Sequence, residues 1–275
     1  VRASYCCIQS AEVCRLPKLF KGLFFLFTLA LACTTQAAVD VQVGAYHFPP
    51  YVVKPEGDRV GGLLPELLQA LNQLQSEYRF TLVATSTMRR YRDLQNGRFD
   101  LILFESPGWG WQGIAHAALD LHINDAEVYV ARLQPGRDEH YFDNLNGKRM
   151  ALYSGYHYGF ADFNSDKQVL TQQYNAVLTY SHDSNLIMLL RGRADVAVVT
   201  RSYLRAYQQR YPEQSSALLV SRRVDQVYHH YALIRPQAPL SGEAFGKMLQ
   251  GLRDNGQMLK IFQPYKIALV AVPQG

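Results

Sequence analysis

Leu94-Gln95-Asn96-Gly97-Arg98-Phe99-Asp100-Leu101-Ile102-Leu103 is answered, about one small domain later, by Leu189-Leu190-Arg191-Gly192-Arg193-Ala194-Asp195-Val196-Ala197-Val198-Val199. Each stretch reads as a helix stopped by a glycine free to take positive φ, then a basic residue, an aspartate and an apolar run suited to a buried strand. A Gly-basic-x-Asp step before a strand is common by itself. The match extends to the apolar residues on both sides, which favours duplication over coincidence. Two α/β lobes are implied, each with its own sheet, and clefts between lobes are where small ligands bind.

Upstream of the first copy, Val39 to Gly44 alternates as a strand, and Tyr46-His47-Phe48-Pro49-Pro50-Tyr51 follows as a loop whose prolines forbid helix. Leu63, Leu64, Leu67, Leu68, Leu71 and Leu74 recur at helical spacing, with Pro65 tolerated in the first turn. Tyr78 to Val83 is a second strand, Arg89 to Gln95 a helix and Phe99 to Phe104 a third strand. Short β-α-β-α-β units of this kind build mainly parallel sheets covered by helices.

The polar stretch from Arg132 to Gly147 marks the passage into the second lobe. There Arg149 to Tyr153 reads as a strand, Ser154 to Gly159 as a loop, Asp183 to Leu190 as a helix and Tyr228 to Ile234 as a strand. The tail from Ser241 to Phe262 reads as two short helices broken at Asn255-Gly256. If that tail packs on the first lobe, the chain crosses between lobes near residues 129–133 and 226–231, and two crossings make a hinge. The expected division is residues 38–130 plus 231–268 for lobe 1 and 131–230 for lobe 2.

Arg15, Lys18 and Lys21 precede the apolar run Gly22 to Cys33 and the small residues Thr34 to Ala38, the pattern of a secretory signal cut after Ala37. A dozen apolar residues are too few for a permanent bilayer helix. The first Met is Met88, so a non-Met start within the opening stretch is expected. Ala30-Leu31-Ala32-Cys33 is similar to a lipoprotein box but has Ala30 where leucine is expected, which favours a soluble form over a lipid anchor at Cys33.

All four cysteines, Cys6, Cys7, Cys14 and Cys33, fall in that leader, so the remainder has no disulfide, thiolate metal site or cysteine nucleophile. Removing the leader's 4 basic and 1 acidic residues from the chain's 28 and 23 leaves a net charge of about +2. No basic block survives, which argues against nucleic acid as a partner.

Gly108-Trp109-Gly110-Trp111-Gln112-Gly113 matches the three-glycine dinucleotide pattern, but tryptophans suit a turn pressed on a pyrophosphate poorly and no long helix follows. Trp109 and Trp111 are better read as flat apolar walls, for a ligand or between lobes. His116 and Asp120 share a face only if their segment is helical, and His229 and His230 point to opposite faces of a strand, so they cannot hold one metal together. Tyr46, Phe48 and Tyr51, and likewise Tyr156 and Tyr158, sit just after the first strand of their lobes, where open sheets form their ligand crevice.

Four blocks together resemble the family 3 extracellular solute-binding proteins, the polar amino acid receptors of ABC importers: Phe48-Pro49-Pro50-Tyr51; Gly61-Gly62-Leu63-Leu64-Pro65-Glu66-Leu67; Gly97-Arg98-Phe99-Asp100; and Asn144 to Arg149 followed by Ser154-Gly155. The resemblance runs from about Val41 to Tyr265. It implies an α/β, two-lobed type II periplasmic-binding-protein fold, each lobe a mainly parallel sheet flanked by helices, joined by two hinge strands and closing on a solute.

The departures from that family are informative. Its members carry an arginine shortly after the Gly-x-x-Asp strand to clamp the ligand carboxylate; here Gln112 falls roughly there. An aspartate ending the second-lobe strand receives the ligand ammonium in the family; here the strand ends in Thr200. Both halves of the zwitterion clamp are missing from their usual positions. Asp100 and Asp195 precede their strands and read as structural; Arg89 and Arg90, before the helix leading to the first repeat, could reach the cleft or simply cap and solvate, and the second reading is favoured.

The remaining cleft candidates are aromatic or hydrogen-bonding: Tyr46, Phe48 and Tyr51 in one loop; Glu105, Ser106, Trp109 and Trp111 in the next; Tyr156, His157 and Thr200 in the second lobe. The expectation is a monomeric periplasmic receptor for a small polar solute that is not a standard α-amino acid, docking on an ABC permease in the inner membrane. No cofactor, metal or catalytic residue is expected. The alternatives on this fold are a cyclohexadienyl-dehydratase-like enzyme, with Glu105 or His157 as general acid, and a ligand-sensing module.

Overall fold

The computed structural model describes residues 37–271, so the expected leader lies outside the described residues except for Ala37. The alternating run at the start forms β1 (Val39–Ala45), with Val41 and Val43 fully buried. The leucine stripe forms α1 (Leu63–Leu74), whose buried face is Leu63, Leu64, Leu67, Leu68 and Leu71. After β2 (Tyr78–Ala84), α2 (Arg90–Gln95) and β3 (Leu101–Glu105), the first β-α-β-α-β unit is complete. β1 lies between β2 and β3 and pairs with both in parallel.

The second half repeats this. β5 (Met150–Tyr153) lies between β6 (Ala176–Thr179) and β7 (Val196–Thr200), again with parallel pairing, and α3 (Lys167–Gln173) and α4 (His182–Leu190) make the connections. The two copies of the opening stretch also agree bond for bond. Gly97 (φ +69°) donates to Leu94 O and Arg98 to Asp93 O; Gly192 (φ +66°) donates to Leu189 O and Arg193 to Met188 O. Both are Schellman C-caps, which need a residue at positive φ and so favour glycine. Asp100 then exchanges two bonds of 2.8 Å with Gln42, its amide to the carbonyl and its Oδ2 from the amide. Asp195 exchanges the same two, both 2.8 Å, with Arg149. The aspartate therefore ties each helix end to the first strand of its lobe, the structural role expected of it.

Two long strands, β4 (Ala117–Arg132) and β8 (Leu218–Ile234), connect the halves, with α5 (Arg201–Arg210) and α6 (Pro212–Ser215) leading from β7 into β8. β3 pairs antiparallel with β8, β7 antiparallel with β4, and β4 with β8, giving one eight-stranded order β2-β1-β3-β8-β4-β7-β5-β6. The lobes thus share a continuous hydrogen-bonded sheet where separate sheets are implied by sequence; the junction is the long antiparallel pair, which periodicity within each repeat does not reveal. Register shifts at Asp120/Asn124 and Glu127/Val128 interrupt that pair where it passes between the halves. Because Ala117 begins β4, His116 and Asp120 share no helical face.

The tail forms α7 (Gly242–Asp254) and α8 (Gln257–Phe262), broken at Gly256, and both pack on α1 in the first lobe. Among the described residues, no helix is long and apolar enough to cross a membrane.

Candidate functional site

Loops beyond the carboxyl ends of β1, β2, β3 and β5 meet over the middle of β4 and β8. They line a crevice of about 270 Å³. Tyr46 and Phe48 come from the first loop, Thr87 and Arg90 from the second, Trp109 from the third, and Gly155, Tyr156 and His157 from the loop after β5. Glu127 of β4 and Gln226 of β8 form the floor. The walls touch. The Phe48 ring stands edge-on to Tyr156 at 5.6 Å and to Trp109 at 5.9 Å, and Trp109 to Tyr228 at 4.7 Å. Gly155 backs onto Thr87, whose Cβ lies 3.1 Å from where a Cβ at residue 155 would sit. The two halves are closed upon each other here.

Arg90 is the correction to the sequence reading. Rather than capping or solvating, it opens α2 with its side chain 2% exposed inside the crevice, while Arg89 faces solvent. Its Nε lies 3.2 Å from Glu105 Oε1, its guanidinium donates to the Thr87 carbonyl, and it sits over the rings of Tyr91 at 4.3 Å and Tyr46 at 4.9 Å. Burial disfavours the cation, but Glu105 and the surrounding tyrosines more than restore it. Burial pushes the Glu105 carboxyl up; Arg90 pulls it back, as does Trp111, whose Nε1 donates to Oε2 at 2.8 Å. Burial wins on balance and the carboxyl stays above its ordinary value, but Arg90, which keeps its proton when buried, is the group that favours its ionised form.

Glu127 is in the opposite situation. It stands between register partners Thr200 on β7 and Gln226 on β8, a polar row of three buried side chains across three adjacent strands. Thr200 donates to Oε1 at 2.8 Å and Tyr228 to the same oxygen at 3.2 Å. Oε2 is buried with no hydrogen-bond partner among the described residues, and the Tyr156 hydroxyl is likewise unpartnered. Among the described residues no cation faces Glu127 closely: burial raises its pKa well above the usual carboxylate range and Asp125 and Asp225 add to that, against the Thr200 and Tyr228 hydrogen bonds. Gln226 is spoken for, accepting from Trp109 Nε1 at 3.2 Å and donating to the His157 carbonyl.

Of the ten residues singled out by sequence, Tyr46, Phe48, Trp109, Tyr156 and His157 line the crevice. Four stand behind it. Glu105 and Trp111 hold Arg90, Thr200 holds Glu127, and Tyr51 donates to the buried Asp125 at 2.7 Å. Ser106 is half-buried, its carbonyl accepting from the Trp109 amide. Gln112, at the expected arginine position, is exposed. Sequence reasoning missed Glu127 and Gln226, and misplaced Arg90. A signal for the first existed: Asp125 and Glu127 interrupt an otherwise apolar run, Ala126, Val128, Val130, and acids on the buried face of a strand need a reason.

Burial holds the nearby histidines neutral: His157 is lowered to about 4, His182 and His230 to about 3. Among the described residues no group of acidic, histidine or cysteine side chains is arranged to hold a metal.

No protein-family model matches the chain, and no curated protein matches its sequence. Solved structures do share its fold. A substrate binding protein of an ABC uptake transporter from Streptococcus pneumoniae, with bound histidine, superposes with a TM-score of 0.68 at 18% identity, over 85% of this chain and 95% of its own. A histidine kinase sensor domain with similarity to periplasmic binding proteins gives 0.63 at 18% identity, over 86% and 98%. An ancestral amino acid-binding protein, a precursor of cyclohexadienyl dehydratase, gives 0.60 at 16% identity, over 82% and 94%. The fold is therefore the two-lobed type II periplasmic-binding-protein fold, and the neighbours span transport, sensing and the ancestry of an enzyme.

Proposed function

We propose that the protein is a periplasmic solute receptor, a monomer that closes its lobes on one small polar solute and presents the closed form to an ABC permease in the inner membrane. The observation that carries this reading is the crevice itself: an aromatic-walled space whose lining includes Glu127 and Tyr156, each with a buried polar atom, Oε2 and the hydroxyl, that has no hydrogen-bond partner among the described residues. Unpaired buried polar groups cost stability, and a bound solute is what would repay them. In this reading residues 38–130 with 231–268 move against residues 131–230, and a solute that touches both sides stabilises the closed form by its differential affinity for it.

The solute is not a standard α-amino acid. The usual clamp positions hold Gln112, which is exposed, and Thr200, which serves Glu127. Arg90, the cation in the crevice, is engaged by Glu105, so a ligand carboxylate would have to compete with a carboxylate already in place. Binding is favoured over turnover because neither candidate is fit to act as a general acid. Glu105 is committed to Arg90 and Trp111, and His157 is neutral near pH 7.

A thermal-shift screen of a few hundred polar metabolites tests the reading, since a binder raises the melting temperature by mass action. A hit whose shift disappears in Trp109→Ala supports it. Micromolar binding of any of the twenty amino acids with ordinary zwitterion dependence would sink the ligand assignment, and turnover of prephenate or arogenate would sink the receptor.

A further inference from the structure

We infer that the crevice selects a small primary amine lacking an α-carboxylate, with Glu127 Oε2 receiving the ammonium N–H. The inference deepens the receptor reading above and rests on it. Three observations on different elements carry it.

Charge comes first. Arg90 and Glu105 neutralise one another at one end of the crevice, which leaves Glu127, the acid among the described lining residues, without a cation. A solute that supplies one positive charge completes the balance; a solute that also brings a carboxylate adds an anion with no free cation to meet it. Hydrogen bonding comes second. Oε1 already accepts from Thr200 and Tyr228, both oriented by the sheet, while Oε2 has no donor. Burial alone favours the protonated acid, so the partner that suits this site is one that brings both a donor and a positive charge: an ammonium draws Glu127 to its ionised form, whose oxygens only accept, and offers three N–H groups. The equally unpartnered Tyr156 hydroxyl, from the same lining, offers an acceptor for another N–H. The walls come third. Phe48, Trp109 and Tyr156 line the crevice together with Glu127, Tyr228 donates to Glu127, and aromatic ring faces attract cations. An amine with an apolar or aromatic body matches such walls in polarity; a polyhydroxylated solute leaves its hydroxyls facing rings.

The arrangement also separates amine classes. A quaternary ammonium satisfies the walls but has no N–H for Oε2. The primary amine is therefore expected to bind better than its trimethylated analogue.

The test uses pairs that differ only in the carboxylate: tyramine and tyrosine, agmatine and arginine, cadaverine and lysine, histamine and histidine. Xylitol and succinate serve as neutral and anionic probes, and binding is measured on the purified protein by calorimetry and thermal shift. At least one amine is expected to bind at least about tenfold more tightly than its amino acid, and Glu127→Gln to lose at least about tenfold of that affinity while keeping the fold, as read by circular dichroism. Should the variant fail to fold, tyramine against N,N,N-trimethyltyramine on the wild-type protein asks the same question, with the primary amine expected to win. Amino acids binding as well as their amines, xylitol or succinate binding where amines do not, or an unchanged amine affinity in Glu127→Gln would overturn the amine assignment and leave the receptor standing. No shift from amine, neutral or anionic probe alike, with none from the wider metabolite screen, would overturn both.

Discussion

Two buried acids 22 residues apart in sequence are treated in opposite ways by the fold. Glu105, at the end of β3, is fully buried but faces Arg90 at 3.2 Å and accepts from Trp111 at 2.8 Å. Glu127, in the middle of β4, is buried as deeply; each acid has hydrogen-bond donors on one oxygen and none on the other, but Glu127 has no cation against it among the described residues. A compensated acid is part of the architecture, because removing either partner strands the other. An uncompensated one is a standing cost in the free protein, and proteins keep such costs at places where a ligand or a reaction uses them.

The largest expected effect comes from breaking the compensated pair. Glu105→Gln leaves Arg90 buried without its counterion and is expected to lower unfolding stability by about 3–5 kcal/mol in urea titrations. Adding Arg90→Met to that variant removes the stranded cation and is expected to recover most of the loss. If the single and double variants prove equally unstable, the pair is not coupled and the contrast with Glu127 fails at its first half.

Glu127→Gln is expected to move stability the other way, by about 1–3 kcal/mol, since it removes an acid held without a cation while retaining an acceptor for Thr200 and a donor in place of Oε2. The gain depends on pH with a defined sign. The folded-state pKa of Glu127 is raised, so the wild-type protein is at its best relative to the variant below the ordinary glutamate value of about 4.5. It loses ground as the pH climbs from there through the raised value. The advantage of Glu127→Gln should be absent near pH 4 and full once the wild-type acid is ionised. The groups facing Glu127 agree with this direction: Asp125 along β4 and Asp225 on β8 oppose its ionisation, Thr200 and Tyr228 favour it, and the nearby cations Arg201 and Arg223 act on Asp125 and Asp225. The buried His182 and His230, lowered to about 3, act oppositely: their contribution is present above about 6.5 and is lost as the pH falls toward 3. Both proteins share that acid limb, so the difference between their melting curves isolates Glu127.

The same contrast explains what sequence does and does not disclose. The repeat predicts helix, cap and strand in both lobes because those rules are local: a glycine at C′, an aspartate that bonds the neighbouring strand, an apolar run. The loops after β1 and β5 are legible for the same reason, and four residues singled out there, Tyr46, Phe48, Tyr156 and His157, line the crevice. Glu127 is not legible that way, because its meaning lies in Thr200 and Gln226, 73 residues away and on the far hinge strand respectively, brought level by strand register. Arg90 misleads for a related reason. An arginine at a helix start looks solvated until the acid that buries it, Glu105, arrives from β3.

The smallest effect belongs to a third kind of carboxylate, and it calibrates the other two. Asp195 is half-buried, pairs with no cation among the described residues and accepts one backbone bond, from Arg149 at 2.8 Å. Asp195→Ala is expected to cost about 0.5–1.5 kcal/mol, the net worth of one hydrogen bond whose orphaned amide water can reach. Its twin in the first lobe makes the same bond to Gln42 and in addition receives Arg235, whose Nη2 lies 2.6 Å from Oδ1. Asp100→Ala should therefore cost more than Asp195→Ala, and the excess measures the Arg235 contact in a frame that the duplication itself supplies. Arg235→Met on its own should reproduce most of that excess. Equal losses at the two aspartates would mean that an arginine beside a carboxylate adds little in this fold, and the large effect expected of the Arg90–Glu105 pair would lose its scale.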